Sequence, residues 1–180
     1  MTPEQYFDLK ERVIEAGYEY DVTWAETVGE CKNANDFACE YVYVVCNSGM
    51  KAQIARVIFD RVWKALNEGW SSSAVFGHKG KTKAIDWVFD NRDTLFAAYL
   101  AANDKLDFLR ELPWIGDTTK YHLAKNFGVD CCKPDRHLVR IAKLSGETPA
   151  ELCERLATET GNRIGVVDLV IWRAANLRFI

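Results

Sequence analysis

The sequence predicts an all-α protein, and three observations predict it. Capping-box signatures with proline at the first helical position stand near both ends of the chain, at Thr2-Pro3-Glu4-Gln5 and Thr148-Pro149-Ala150-Glu151. Apolar residues recur at helical spacing, as at Ile54, Val57, Ile58, Val62 and Leu66. The most strand-like run, "YVYVVC" from Tyr41 to Cys46, has no hairpin turn and no second strand to pair with.

The elements follow in order. A first helix opens at the Thr2 box and is expected to stop at Gly17. Asp21 is placed to cap a short helix carrying Trp24 and Val28. Asn35 or Asp36 is placed to cap "FACEYVYVVC", and "MKAQIARVIFDRVWKALNEG" forms the next helix, ending at Gly69. The Ser-, Gly- and Lys-rich "WSSSAVFGHKGKTK" reads as a loop. Helices resume with "KAIDWVFDN", "RDTLFAAYLAA" and "DKLDFLREL", and a last apolar helix spans about Ile164 to Asn176. No internal repeat, low-complexity segment or linker interrupts them.

The 180 residues suffice for one sizeable core or two small lobes. Composition is that of a globular protein, 48% hydrophobic and 27% charged, with no apolar run near bilayer length and no secretory leader. A cytoplasmic protein without membrane contact is expected. The six cysteines contain no C-x-x-C pair and no zinc or iron–sulfur spacing, so reduced thiols and no metal are expected. The net charge of −3 is unevenly spread: residues 1–45 hold ten Asp/Glu and three Lys/Arg, whereas Arg110 to Lys143 hold seven Lys/Arg and four Asp/Glu. A locally basic face suits phosphate, and it also suits a solvated charge mixture.

Within that basic stretch lies "LPWIGDTTKYHLAKNFGVDCCKPDRHLVRIA", Leu112 to Ala142. Pro113 disfavours helix at Leu112, and Gly116 permits a tight turn before the next helix starts. Such a turn leaves backbone amides pointing outward beside a helix N-terminus, which together attract an anion. Thr118 and Thr119 hydroxyls and the Lys120 ammonium add donors. The same pattern fits an ordinary αα-hairpin. Further on, Pro134 suits a first helical position, which places Asp135 in the first turn among Lys133, Arg136, His137 and Arg140. Compensation of the helix dipole accounts for such a carboxylate. So does stabilisation of the positive charge that develops as a glycosidic bond breaks.

These residues resemble the helix-hairpin-helix DNA glycosylases of the endonuclease III-like superfamily, whose hairpin reads L-P-G-V-G and whose aspartate begins the helix after a Gly/Pro-rich loop. The resemblance implies a two-lobed helical fold with a cleft between the lobes. Residues 33–129 would form a continuous lobe ending in the hairpin, and 1–32 plus 130–180 a second lobe carrying the aspartate. It implies Asp135 as catalytic carboxylate and Pro113, Trp114, Ile115, Gly116, Thr118, Thr119 and Lys120 as hairpin contacts to DNA. Lys133, Arg136 and His137 would add contacts beside the aspartate. In "VVCNSGMKAQIARVI" the polar turn that enters the duplex corresponds to Asn47, Ser48, Met50, Lys51 and Gln53, placed to fill the hole left by a flipped base. A surface turn between two core helices is the plainer reading of that segment.

Two departures bear on chemistry. Lyase-active members carry lysine where this chain has Thr118. Lys120 is displaced from that place by about 200° around the helix, so water is the expected nucleophile. The C-terminal iron–sulfur spacing of many relatives is also missing. The implied activity is a monofunctional DNA glycosylase, monomeric, without cofactor, acting on duplex DNA with a flipped base. A phage-type base-hypermodification enzyme resembling the thymine pyrophosphorylases, or a non-catalytic DNA-binding module, fits the same residues. Other residues carry weaker expectations: a basic loop of His78, Lys79, Lys81 and Lys83 touching phosphate or merely solvated, and Tyr20, Trp24 and Trp172 lining a base pocket or the core. Asp168 pairing with Arg173 across the lobes and local hydrogen bonds at His122 and His137 complete the set.

Overall fold

A computed structural model describes residues 1–180, the side chain of Ala52 excepted. It is all-helical, with no strand among the described residues. The helices are α1 (Pro3–Val13), α2 (Glu19–Thr27), α3 (Ala34–Asn47), α4 (Ala52–Asn67), α5 (Lys79–Asp90), α6 (Arg92–Ala101), α7 (Lys105–Arg110), α8 (Thr119–Asn126), α9 (Arg136–Lys143), α10 (Pro149–Thr160) and α11 (Ile164–Asn176). The chain divides into two compact units, Met1–Gly29 with Gly128–Ile180, and Glu30–Phe127.

The discontinuous unit is built around α11, against which α1, α2, α9 and α10 pack. Its sequence is apolar nearly all round, so it belongs in the middle. Val166, Val167, Val170, Ile171 and Ala174 meet Tyr6, Leu9 and Val13 of α1, Leu138 and Ile141 of α9, and Leu152 and Leu156 of α10. Both capping boxes form as expected, Thr2 with Gln5 and Thr148 with Glu151. Gly17 ends the first helical stretch as expected: its φ of 92° breaks the helical backbone within the turn Ile14–Tyr18, and α2 starts at Glu19. Asp21 therefore lies inside α2 and does not cap it; its carboxylate pairs with Arg173 of α11.

The continuous unit is built around α3, packed by α4, α5, α6 and α8. The run that resembles a strand is helical because its buried residues serve several neighbours: Phe37, Ala38, Tyr41, Val42, Val44, Val45 and Cys46 are fully enclosed. The cap of α3 is Asn33 and not Asn35 or Asp36. Asn33 accepts the Asp36 N–H and donates to the Asp36 carboxylate, a reciprocal bond that requires the three-residue offset. Phe37, Tyr99 and Phe127 close one end of this core, with Phe37 stacked on Phe127 at 5.0 Å.

The expected loop "WSSSAVFGHKGKTK" is only partly loop. Ser72–Ala74 form a 3₁₀ turn tied to α5 by Asp86, which accepts the Ser72 N–H and the Ser71 hydroxyl. His78 caps α5 through Nδ1, so Lys79, Lys81 and Lys83 are helical. Among the described residues, no helix is long and apolar enough to cross a membrane.

Candidate functional site

The hairpin between α7 and α8 is a tight turn over Leu112-Pro113-Trp114-Ile115, closed by the Ile115 N–H on the Leu112 carbonyl at 3.1 Å. Proline second in such a turn favours a third residue with positive φ, ordinarily glycine. Here that residue is Trp114, at φ 65°, and the adjustable residue foreseen at Gly116 does not use positive φ. Left-handed backbone costs a non-glycine residue about 1–2 kcal/mol, so other contacts must hold it. Two do. The fully buried Tyr41 donates its hydroxyl to the Pro113 carbonyl at 2.5 Å. The Trp114 indole lies over α5, edge-on to the His78 ring at 5.1 Å, where a Cβ on Gly80 would come within 2.7 Å of it.

A planar trans peptide points its N–H opposite its carbonyl. With the Pro113 carbonyl turned to Tyr41, the Trp114 N–H faces the other way. The N–H groups of Trp114, Gly116, Asp117, Thr118 and Thr119 have no acceptor among the described residues. Ile115 is buried and offers the hairpin only an anchor, whereas Gly116 and Thr118 are exposed and Pro113 and Thr119 half-buried. Asp117 brings a carboxylate to the same tip. Arg110 binds it at 2.5 Å and holds it below the usual carboxylate range, so the two charges offset locally. Lys120 is not the outward-facing donor foreseen: only 14% of its side chain is exposed, and its ammonium lies 3.9 Å from Asp107.

The "NSGMK" turn joins α3 to α4 in the same unit. Asn47 ends α3 with its amide on the Tyr43 carbonyl, Gly49 takes φ 70°, and the Met50 N–H closes on the Asn47 carbonyl. Ser48 and Met50 are half-buried, while Lys51 and Gln53 are exposed. From below, Lys81 of α5, only 3% exposed, donates to the carbonyls of Ser48 at 2.6 Å and Cys46 at 3.3 Å. Burial pulls its pKa down from the ordinary lysine value. Of the basic loop expected at the surface, His78, Lys79 and Lys83 are exposed and Lys81 is not. Its signal was present in the sequence, since Lys81, Ile85 and Val88 lie on one stripe at i, i+4 and i+7.

Asp135 belongs to the other unit. It is the N-cap of α9, one position earlier than its expected place in the first turn, with extended backbone at φ −84° and ψ 174°. Pro134 accordingly precedes the cap and is not the first helical residue. Oδ1 accepts the N–H groups of His137 at 2.8 Å and Leu138 at 3.0 Å. Oδ2 has no donor among the described residues. The Arg136 Nε–H reaches His137 Nε2 at 3.3 Å, and Lys133 and Arg136 carry cations on either side of the cap.

The loop that delivers Asp135 is held by α11 and its start. Buried Asp168 accepts the Lys133 N–H at 3.0 Å, Asp130 accepts the Gly165 N–H, and Arg163 donates to the carbonyls of Gly128 and Val28. Asp168 and Arg173 both lie in α11, within one unit. Arg173 pairs with Asp21 and lies against the rings of Tyr18 and Trp172. Tyr20 is 80% exposed and Trp24 37%, so neither is a core residue. Among the described residues, no cluster of His, Cys, Asp or Glu is arranged to hold a metal.

No protein-family profile matches the chain, and no curated protein matches it by sequence. Solved structures do. A crystal structure of the Methanocaldococcus jannaschii 8-oxoguanine glycosylase/lyase, bound to 15mer DNA containing 8-oxoguanine, superposes with a TM-score of 0.67. It covers 99% of this chain and 98% of that one at 16% identity. The 8-oxoguanine DNA glycosylase of Thermotoga maritima superposes with a TM-score of 0.62, covering 94% of each chain at 21% identity. The chain shares the fold of these two DNA glycosylases. Within this glycosylase fold the hairpin lies between α7 and α8, and Asp135 opens α9.

Proposed function

We propose that this protein is a monofunctional DNA glycosylase that releases a modified or mismatched base from a flipped nucleotide. The observation that carries the reading is the Asp135 carboxylate: one oxygen is fixed by two backbone amides, the other has no donor, and the sequence resemblance matches it to the family's aspartate. An oxygen so held has no need to reorganise as positive charge grows on the sugar, which is how a preorganised charge lowers a barrier. In the proposed reaction the hairpin amides bind a backbone phosphate of the DNA. The "NSGMK" turn occupies the place of the extruded base. The C1′–N bond breaks with its electron pair leaving on the base, and Asp135 stabilises the oxocarbenium-like sugar. Water adds at C1′, and the proton it loses balances the one the free base gains. Thr118 offers a hydroxyl and not an amine, so no Schiff base forms with the sugar.

Both structural relatives are named for 8-oxoguanine, which makes an 8-oxoguanine duplex the first substrate to try. The experiment is a mass-spectrometric screen of damaged, mismatched and hypermodified duplexes with wild-type protein and Asp135→Asn. Asparagine also caps helices, so the variant keeps the fold and removes the charge. The expected result is free base released by wild type, with the rate roughly 10²–10³-fold lower in the variant. Full excision by Asp135→Asn would overturn the assignment. Borohydride is expected to trap no protein–DNA adduct. An altered base still attached to its sugar would indicate base modification, and bound but unchanged DNA a binding module.

A further inference from the structure

Two backbone segments that the proposed function assigns to DNA, the hairpin and the "NSGMK" turn, rest on the same turn of a third element. Trp114 of the hairpin sits over Gly80, against His78. The residue after Gly80, Lys81, is bonded to the carbonyls of Ser48 and Cys46 at the start of the other segment. Gly80 leaves room for the indole, and any Cβ there meets it. Lys81 neutralises the negative end of α3, where the last carbonyls of a helix otherwise lack partners. Neither residue needs to touch DNA to act.

We propose that the first turn of α5, His78 to Thr82, is a clamp that holds the phosphate-binding hairpin and the base-replacing turn in fixed register. Lys81 and Gly80 are its positioning residues. The inference rests on the DNA glycosylase reading and deepens it. With both segments seated on one turn, gripping the backbone at the hairpin already places Asn47 to Met50 for entry into the duplex. Loss of the Lys81 bonds frees the inserting turn while leaving the hairpin's amides in place. Loss of the Gly80 seat displaces Trp114 and with it the hairpin.

The test compares wild type, Lys81→Met and Gly80→Ala as full chains. Amide hydrogen exchange is read without DNA. Binding and fluorescence are read with a duplex carrying 2-aminopurine beside the target nucleotide. In Lys81→Met, exchange across residues 47–51 is expected to speed up by roughly tenfold or more as that segment opens locally. The same variant keeps duplex affinity within about threefold but loses most of the fluorescence rise that reports base unstacking. Gly80→Ala shows the converse: faster exchange at residues 114–119 and duplex affinity weakened about tenfold, one decade in Kd. Unchanged exchange at 47–51 in Lys81→Met overturns the clamp whatever the DNA result. So does an equal loss of binding and unstacking in both variants, the signature of general destabilisation. A wild-type protein that binds duplex yet never unstacks the base overturns the glycosylase reading, and normal exchange effects in the variants then separate that failure from failure of the clamp.

Discussion

The hairpin region and the Asp135 loop are both irregular backbone fixed by buried side chains, but the protein consumes opposite halves of the peptide group in the two. Around the hairpin and its neighbouring turn the fixing groups are donors: Tyr41 takes the Pro113 carbonyl, and Lys81 takes those of Ser48 and Cys46. Around Asp135 they are mainly carboxylates: Asp168 takes the Lys133 N–H, Asp130 that of Gly165, and Asp135 those of His137 and Leu138. The first arrangement leaves N–H groups over, a surface that favours anions. The second leaves carboxylate charge over, a surface that favours a positive centre. A nucleic-acid phosphate and an electron-poor sugar call for these two surfaces respectively.

The variant expected to break this contrast most strongly is Asp135→Ala set beside Asp135→Asn. Both lose the charge and with it base release. Only alanine also loses the cap, at about 1 kcal/mol in urea denaturation. If both variants lost equal stability and neither lost activity, Asp135 would be a cap and nothing more. Next in size is Asp168→Ala, which leaves the part-buried Lys133 N–H without its acceptor and is expected to cost about 1–3 kcal/mol. Activity should fall further than the folded fraction does, because the loop bearing Asp135 loses its tether. On the donor side, Tyr41→Phe removes one hydrogen bond, worth about 0.5–1.5 kcal/mol. Its duplex affinity should fall severalfold while base release from bound DNA is unchanged. An effect on release with affinity intact would place Tyr41 outside the hairpin's function.

The smallest expected effect uses pH, and it has opposite signs at two carboxyls, one in each unit. In the unit that holds Asp135, Arg155 and the Ser145 hydroxyl hold Glu147 down to about 2 from an ordinary value of 4.5. A carboxyl lowered on folding contributes stability above pH 4.5, and that contribution fades as pH falls towards 2. In the other unit, burial raises Glu40 above 4.5 despite its bond from Asn126. The folded state then binds the extra proton, so stability declines as pH rises past 4.5. Glu147→Gln should flatten the acid limb of a urea-denaturation series, and Glu40→Gln should remove the decline on its other side. Identical curves for wild type and both variants would count against this division.

Much of the frame was legible in the sequence because its signals are local. Both capping boxes, the α11 span, the break at Pro113 and the aspartate opening a helix depend on residues within a few positions of one another. What escaped depends on contacts distant in sequence. Lys81 reads as a surface charge until α3 is laid across it, although its place on the stripe with Ile85 and Val88 was a warning. Asn33 is obscured as a cap by Asn35 and Asp36, which follow closely and suit the position equally well. Pro113 does announce a positive φ two residues into its turn, but by sequence Gly116 is the natural place for it, because tryptophan rarely adopts that conformation. The Asp135 cap lies one residue from its expected place, since Pro134 fits a helical first position equally well by sequence alone.

The Gly80–Trp114 contact also predicts how sequences of this fold can vary. A bulky residue at position 114 is compatible only with a bare backbone at position 80, because a Cβ there would lie 2.7 Å from the ring. A glycine at 114, as in the L-P-G-V-G form of the hairpin, places no such demand and leaves 80 free to accept any good helix former. The two positions, 34 residues apart in the chain, are therefore expected to change together. A lineage that moved from one state to the other would have to pass through glycine at both.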